Sequence, residues 1–77
     1  MQITIHDDTF GKNLLFLRKK YRLSRLALAK LLGTAQVLIA TWEECRVYPI
    51  LSTERIDRLC TIFMIDSQTL LHTNLQE

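Results

Sequence analysis

Little in this chain breaks a helix or makes a covalent link. Its 77 residues include one proline, two glycines and two cysteines. Cys45 and Cys60 form no CxxC, and His6 and His72 lie near opposite ends, so metal-ligand spacing is missing and no metal site is expected. Cys60 falls in an apolar helical stripe, where a small core residue belongs. Cys45 reads as a free thiol, kept reduced under cytosolic conditions. No apolar run approaches the ~18 residues of a membrane span, and no signal-peptide pattern opens the sequence. A cytoplasmic protein away from membranes is expected. Also missing are a nucleophile–base pair and a phosphate loop. Asp7-Asp8 and Glu43-Glu44 are sequence neighbours, a spacing that does not converge two carboxylates on one helical face. Neither an enzyme nor a cofactor is expected, and there are no repeats or low-complexity stretches.

The net charge is only +2, too small to identify a nucleic-acid binder. Its distribution says more. Residues 1–46 carry eight Lys or Arg against four Asp or Glu, and residues 47–77 carry two against four. Phosphate binding needs local rather than global positive charge.

What is present in quantity is apolar side chains, 48% of the chain. A domain this small must gather most of them into one core. Ile3 and Ile5 alternate with polar residues in the opening MQITIH. Residues 1–9 are expected to form a partly ordered arm, with a strand pairing to its twin across a dimer as the sharper alternative. Asp7, Asp8 and Thr9 are N-cap candidates for a first helix, whose apolar face is Phe10, Leu14, Leu17 and Tyr21 at i, i+4, i+7, i+11. Arg18, Lys19, Lys20 and Arg22 suit its negative C-terminal end and could equally contact phosphates.

The chain is organised around residues 24–43. Ser24 caps a short helix carrying Leu28, Ala29 and Leu32 on one stripe, with Leu31 beside it. Gly33 ends it, and Thr34 and Ala35 turn the chain. A further helix starts near Gln36, with Ile39 and Trp42 inward. Two short helices around a glycine turn make a helix-turn-helix unit, whose second helix can lie in a DNA major groove. Pro49 marks a rigid loop after it. Ser52 or Thr53 caps a fourth helix with Ile56, Leu59, Cys60 and Phe63 inward. Asp66 caps a short fifth helix that turns Leu70 and Leu71 inward, and Leu75 lies in a polar tail. The expected architecture is all-α, a compact five-helix bundle, with residues 10–77 forming one domain.

These residues resemble the DNA-binding domain of the Cro and phage-repressor (XRE-type) helix-turn-helix family, over Phe10 to Leu71. In helix one the family pattern appears as Phe10-Gly11, Leu14 and Leu17-Arg18. The next block appears as Leu23-Ser24, Leu28-Ala29 and Leu32-Gly33. Ile39, Trp42, Glu43 and Pro49 follow at the family's spacing. The resemblance implies a lambda-repressor-like fold and a largely buried salt bridge between Arg18 and Glu43, which makes Glu43 structural. It also implies a sequence-specific DNA-binding transcriptional regulator, repressor-like. Such a regulator would bind double-stranded DNA as a homodimer on a two-fold symmetric operator with half-sites about one helical turn apart. On that mapping Gln36 faces adenine, Val37 a thymine methyl, and Thr41 a base edge or phosphate. Arg25, with Ser24 beside it at the start of helix two, and Arg46 in the loop after helix three would meet phosphates. Leu70, Leu71, Leu75 and the Ile3/Ile5 arm are the dimer candidates.

The sequence also departs from the family. Cys45 and Met64 stand where glycine is usual, and a reshaped helix end is expected at Cys45. Ala35 replaces the usual N-cap of the recognition helix. The segment from Pro49 to Ile56 is about two residues longer than the pattern. Leu15, Phe16, Leu26, Val37 and Leu38 are apolar where the family is polar. These either tuck into core edges or a homodimer, or form a patch for a protein partner. The second reading is therefore a protein–protein interaction module on the same scaffold with weak or lost DNA binding. The two readings divide on whether Leu26, Val37 and Leu38 are exposed together on the face carrying Gln36 and Arg25.

Overall fold

A computed structural model describes residues 1–75. Five helices and one small sheet follow in the order β1 (Gln2–Thr4), α1 (Thr9–Lys20), α2 (Arg25–Leu32), α3 (Gln36–Glu43), β2 (Ile50–Ser52), α4 (Thr53–Phe63) and α5 (Ser67–His72). The helices pack around one core in which Phe10, Leu14, Leu28, Ile39, Leu51, Ile56, Leu59, Phe63 and Leu70 are fully buried. The stripe on α1 buries Phe10, Leu14 and Leu17. Tyr21 lies just past the helix and remains partly exposed; its ring packs 5.7 Å from that of Phe63.

Three helix starts, those of α2, α4 and α5, carry side-chain caps. Ser24 accepts a hydrogen bond from Ala27 N at 3.0 Å, Ser52 from Arg55 N at 3.1 Å, and Asp66 from Thr69 N at 2.7 Å. These side-chain oxygens satisfy amides that have no partner inside the helix. At α1 the cap position is Asp8, whose side chain makes no capping bond; Asp7 Oδ1 instead accepts from Thr9 N at 3.0 Å.

The opening segment differs from a loose arm. β1 pairs antiparallel with β2 in the register Gln2↔Ser52, Ile3↔Leu51, Thr4↔Ile50. Ile5 N donates to Pro49 O at 2.9 Å, and Thr53 N donates to Met1 O at 3.0 Å. Ile5 is buried with the core. The strand finds its partner within the chain, so Ile3 and Ile5 are used inside the domain. The bundle thus carries a two-stranded sheet beside its helices. Leu70 and Leu71 are likewise buried within the domain, and Leu75 packs against the same core. Ile5, Leu70 and Leu71 are buried inside the domain, whereas Ile3 and Leu75 are half-buried.

Two positions where the sequence lacks an expected glycine keep the glycine conformation. Cys45 has φ 56° and Met64 φ 55°, both left-handed. The helix end at Cys45 is therefore not reshaped; cysteine adopts the left-handed backbone. Arg22 is a third, at φ 57°. Gly11 is required for a different reason: α1 crosses α3 so closely there that a Cβ would collide with the Trp42 carbonyl oxygen.

One buried polar side chain was not legible beforehand. Asn13 sits on the apolar face of α1, fully buried. Its amide nitrogen donates to Leu70 O at 2.9 Å and Thr73 O at 2.6 Å, and its oxygen accepts from Leu75 N at 3.1 Å. It thereby satisfies carbonyls at the C-terminal end of α5 that the six-residue helix cannot.

Candidate nucleic-acid interface

The turn between α2 and α3 fixes the candidate surface. Gly33 adopts the left-handed conformation at φ 69°, and Thr34 N reaches back to Ala29 O at 2.9 Å. The chain then enters α3 through Ala35, extended and without a side-chain cap. Thr34 does not substitute; its hydroxyl oxygen accepts from Arg55 at 3.4 Å. The first amides of α3 are left without a side-chain acceptor of their own, at the end of the helix that carries positive partial charge.

Ile39, Trp42 and Glu43 anchor the inner side of α3. Its outer side begins with Gln36 and Val37, both exposed, Val37 to 71%. Thr41 is half-buried one turn on, and its hydroxyl donates to Val37 O at 2.9 Å. Ser24, exposed at the start of α2, is engaged as the helix cap.

The charged residues form a chain. Arg18 clasps Glu43 in two parallel bonds, Nε to Oε2 at 2.6 Å and a terminal nitrogen to Oε1 at 2.9 Å, and its other terminal nitrogen donates to Leu23 O at 2.9 Å. The Glu43 side chain is fully buried. Arg25 is not a free cation: its Nε donates to Glu43 Oε1 at 3.0 Å, and another guanidinium nitrogen lies 3.6 Å from Glu44. Arg46, exposed, pairs with Glu44 at 2.7 Å. Glu44 thus bears on both arginines expected at phosphates, although the sequence offers no sign of it beyond adjacency to Glu43.

The apolar residues are not all exposed. Leu26 is 48% exposed and Phe16 partly exposed, whereas Leu15 is half-buried and Leu38 packs against the core. Leu26 and Val37 are exposed without Leu38. Instead, Leu38 helps to line an open groove of about 420 Å³ with Thr41, Trp42, Tyr48, Pro49 and Arg55. The Arg55 guanidinium sits over the Trp42 ring at 5.9 Å. Burial, then the Asp8 carboxylate, pushes the Cys45 thiol above its ordinary range. Among the described residues no group of His, Cys, Asp or Glu could hold a metal ion, and no helix is long and apolar enough to cross a membrane.

No protein-family model matches the chain, and no curated protein matches it. Solved structures do. A transcriptional regulator from Listeria innocua superposes with a TM-score of 0.72 at 27% identity, over 80% of this chain and 56% of that one. The chain therefore spans little more than half of that regulator's length. The P22 c2 repressor, crystallised with a synthetic operator in the presence of Tl+, gives a TM-score of 0.72 at 26% identity, over 83% of this chain and 94% of that one. The fold is the compact five-helix, lambda-repressor-like helix-turn-helix bundle.

Proposed function

We propose that this chain is the DNA-binding domain of a transcriptional regulator, repressor-like and cytoplasmic, that reads a two-fold symmetric operator as a homodimer. The observation that carries the reading is the exposed start of α3. Gln36 and Val37 project from an uncapped helix N-terminus, while the other side of the helix is locked into the core through Trp42 and Glu43. The similarity to a repressor crystallised with its operator supports it.

In this reading α3 lies in the major groove. The Gln36 amide pairs with the N6 and N7 edge of an adenine, and Val37 packs on a thymine methyl. Thr41 keeps its oxygen lone pairs for a base donor, because its proton is used within the helix. Arg25 and Arg46 reach phosphates, which position the domain without reading sequence. Ser24 serves by holding the start of α2, and so Arg25, at that surface.

The test is selection from random duplex DNA at low and physiological salt. Enrichment of a two-fold symmetric motif, with affinity falling as salt rises, supports the regulator. No binding even at low salt overturns it. The second reading, a protein-interaction module, is favoured by one observation: Leu26 and Val37 are exposed apolar side chains on or beside the recognition unit. Under that reading Leu26→Ser and Val37→Ser abolish capture of a protein partner and leave DNA binding, absent at the outset, unchanged.

A further inference from the structure

Glu44 ends the recognition helix with a charge of the wrong sign for a phosphate surface. Its carboxylate lies between two cations, 2.7 Å from Arg46 Nε and 3.6 Å from a terminal nitrogen of Arg25. These are the two side chains assigned above to phosphates. Folding does not require the arrangement. Glu43 is fully buried and already holds Arg18 and Arg25, whereas the Glu44 side chain is 39% exposed. Exposed ion pairs contribute little to stability.

We infer that Glu44 is an electrostatic brake on phosphate binding, an inference that rests on the DNA-binding reading. In the free domain Glu44 is paired with the same two guanidinium charges that a phosphate would engage. When duplex binds, Arg46 and Arg25 turn from the carboxylate to phosphate oxygens, and Glu44 is left beside a second anion. Both effects oppose binding. Phosphates carry no sequence information, so the brake acts on all duplexes alike and leaves the base contacts of Gln36 and Val37 untouched. A carboxylate that instead held the arginines in place for phosphate would have the opposite sign: removing it would weaken binding.

The experiment compares the intact chain with Glu44→Gln, using a pool of random-sequence duplex DNA across about 50 to 200 mM salt. Glutamine keeps the side-chain shape, and Glu44→Ala serves as a second neutral variant. Both are expected to melt close to the parent. The expected result is roughly 3- to 10-fold tighter binding at the lower salt, the size of one unit charge acting near 4 Å in water. The plot of log affinity against log salt should steepen by about 1, because a carboxylate no longer offsets one of the guanidinium charges at the phosphates. Arg46→Ala should then weaken Glu44→Gln by a larger factor than it weakens the parent, because only in the variant is Arg46 unopposed. Equal or weaker binding by Glu44→Gln, or an unchanged salt slope, overturns the brake while the DNA reading stands. Failure of parent and variants alike to bind at the lowest salt overturns the DNA reading and the brake with it.

Discussion

The side-chain amide of Asn13 in α1 donates to the carbonyl of Leu70 in α5 at 2.9 Å, across 57 positions of sequence. The same residue bonds Thr73 O and Leu75 N, so one buried side chain closes the end of the last helix onto the first.

Asn13→Ala leaves several buried or half-buried backbone groups without partners and should destabilise the domain by about 2–3 kcal/mol. Asn13→Asp should be no better, because a carboxylate cannot donate to Leu70 and Thr73. Urea unfolding measures both, and a midpoint unchanged in Asn13→Ala would show that α5 does not depend on this contact.

Arg18→Ala removes the bidentate partner of the buried Glu43 and should cost about 3 kcal/mol, the lower end for breaking such a pair. Arg25 remains on Glu43 at 3.0 Å and limits the loss. Arg25→Ala, in which a one-third exposed side chain is removed, should cost ~1 kcal/mol or less after solvent screening. Thermal melts that ranked the two variants in the reverse order would place the main support of Glu43 on Arg25.

Met64→Gly should stabilise the domain by about 0.5–1 kcal/mol. The left-handed backbone at φ 55° is costly for a side chain, and Met64 is 77% exposed, so little packing is lost. The gain is read as a higher urea midpoint. Cys45→Gly relieves the same strain but gives up packing beside Gly11, where Cys45 Sγ lies 3.0 Å from the Cβ position, so its gain should be smaller.

Hydrogen bonds from the Thr69 hydroxyl and then its amide hold the Asp66 carboxyl below its ordinary 3.8. A carboxyl depressed in the folded state stabilises it above the unfolded value. That contribution is lost as pH falls below 3.8 and through the folded value. Asp66→Asn removes this titration. The stability difference between parent and variant should therefore be constant at neutral pH and shrink in acid. A difference independent of pH down to full protonation would contradict the cap.

Gln36→Ala should cost about 1–3 kcal/mol at one preferred base pair and relax selectivity there, while Arg46→Ala should weaken all duplexes evenly. Selection repeated with each variant distinguishes the two effects. Loss of the same base preference in both would overturn the division between base-reading and phosphate-positioning residues.

The helices were legible because their signals are local. Phe10, Leu14 and Leu17 share a helical face, Ser24, Ser52 and Asp66 are short polar caps, and Gly33 supplies its left-handed turn. The alternation of Ile3 and Ile5 marked a candidate strand, but its partner within the chain was not legible, because β2 has three residues and lies at Leu51, far along the sequence. Asn13 was invisible for a similar reason: its partners are backbone carbonyls of a distant helix, which no residue pattern marks. At the candidate interface, the exposure of Gln36 and Val37 was implied by the family resemblance. The capture of Arg25 by Glu43 and Glu44 was not, since it depends on how α2 and α3 cross. Leu38 packs against the core edge, one of the two alternatives that sequence alone left open.

The pairing of Gln2 with Ser52 also sets an order of assembly. The helix-turn-helix contacts join neighbours in sequence and can form early. The strand pair must first close a loop of roughly fifty residues, whose entropy only an already compact chain offsets. The sheet is then expected to form late, together with the Asn13 contacts to α5, which span 57 positions. Amide exchange at Ile3 and Leu51 would report when that late step is complete.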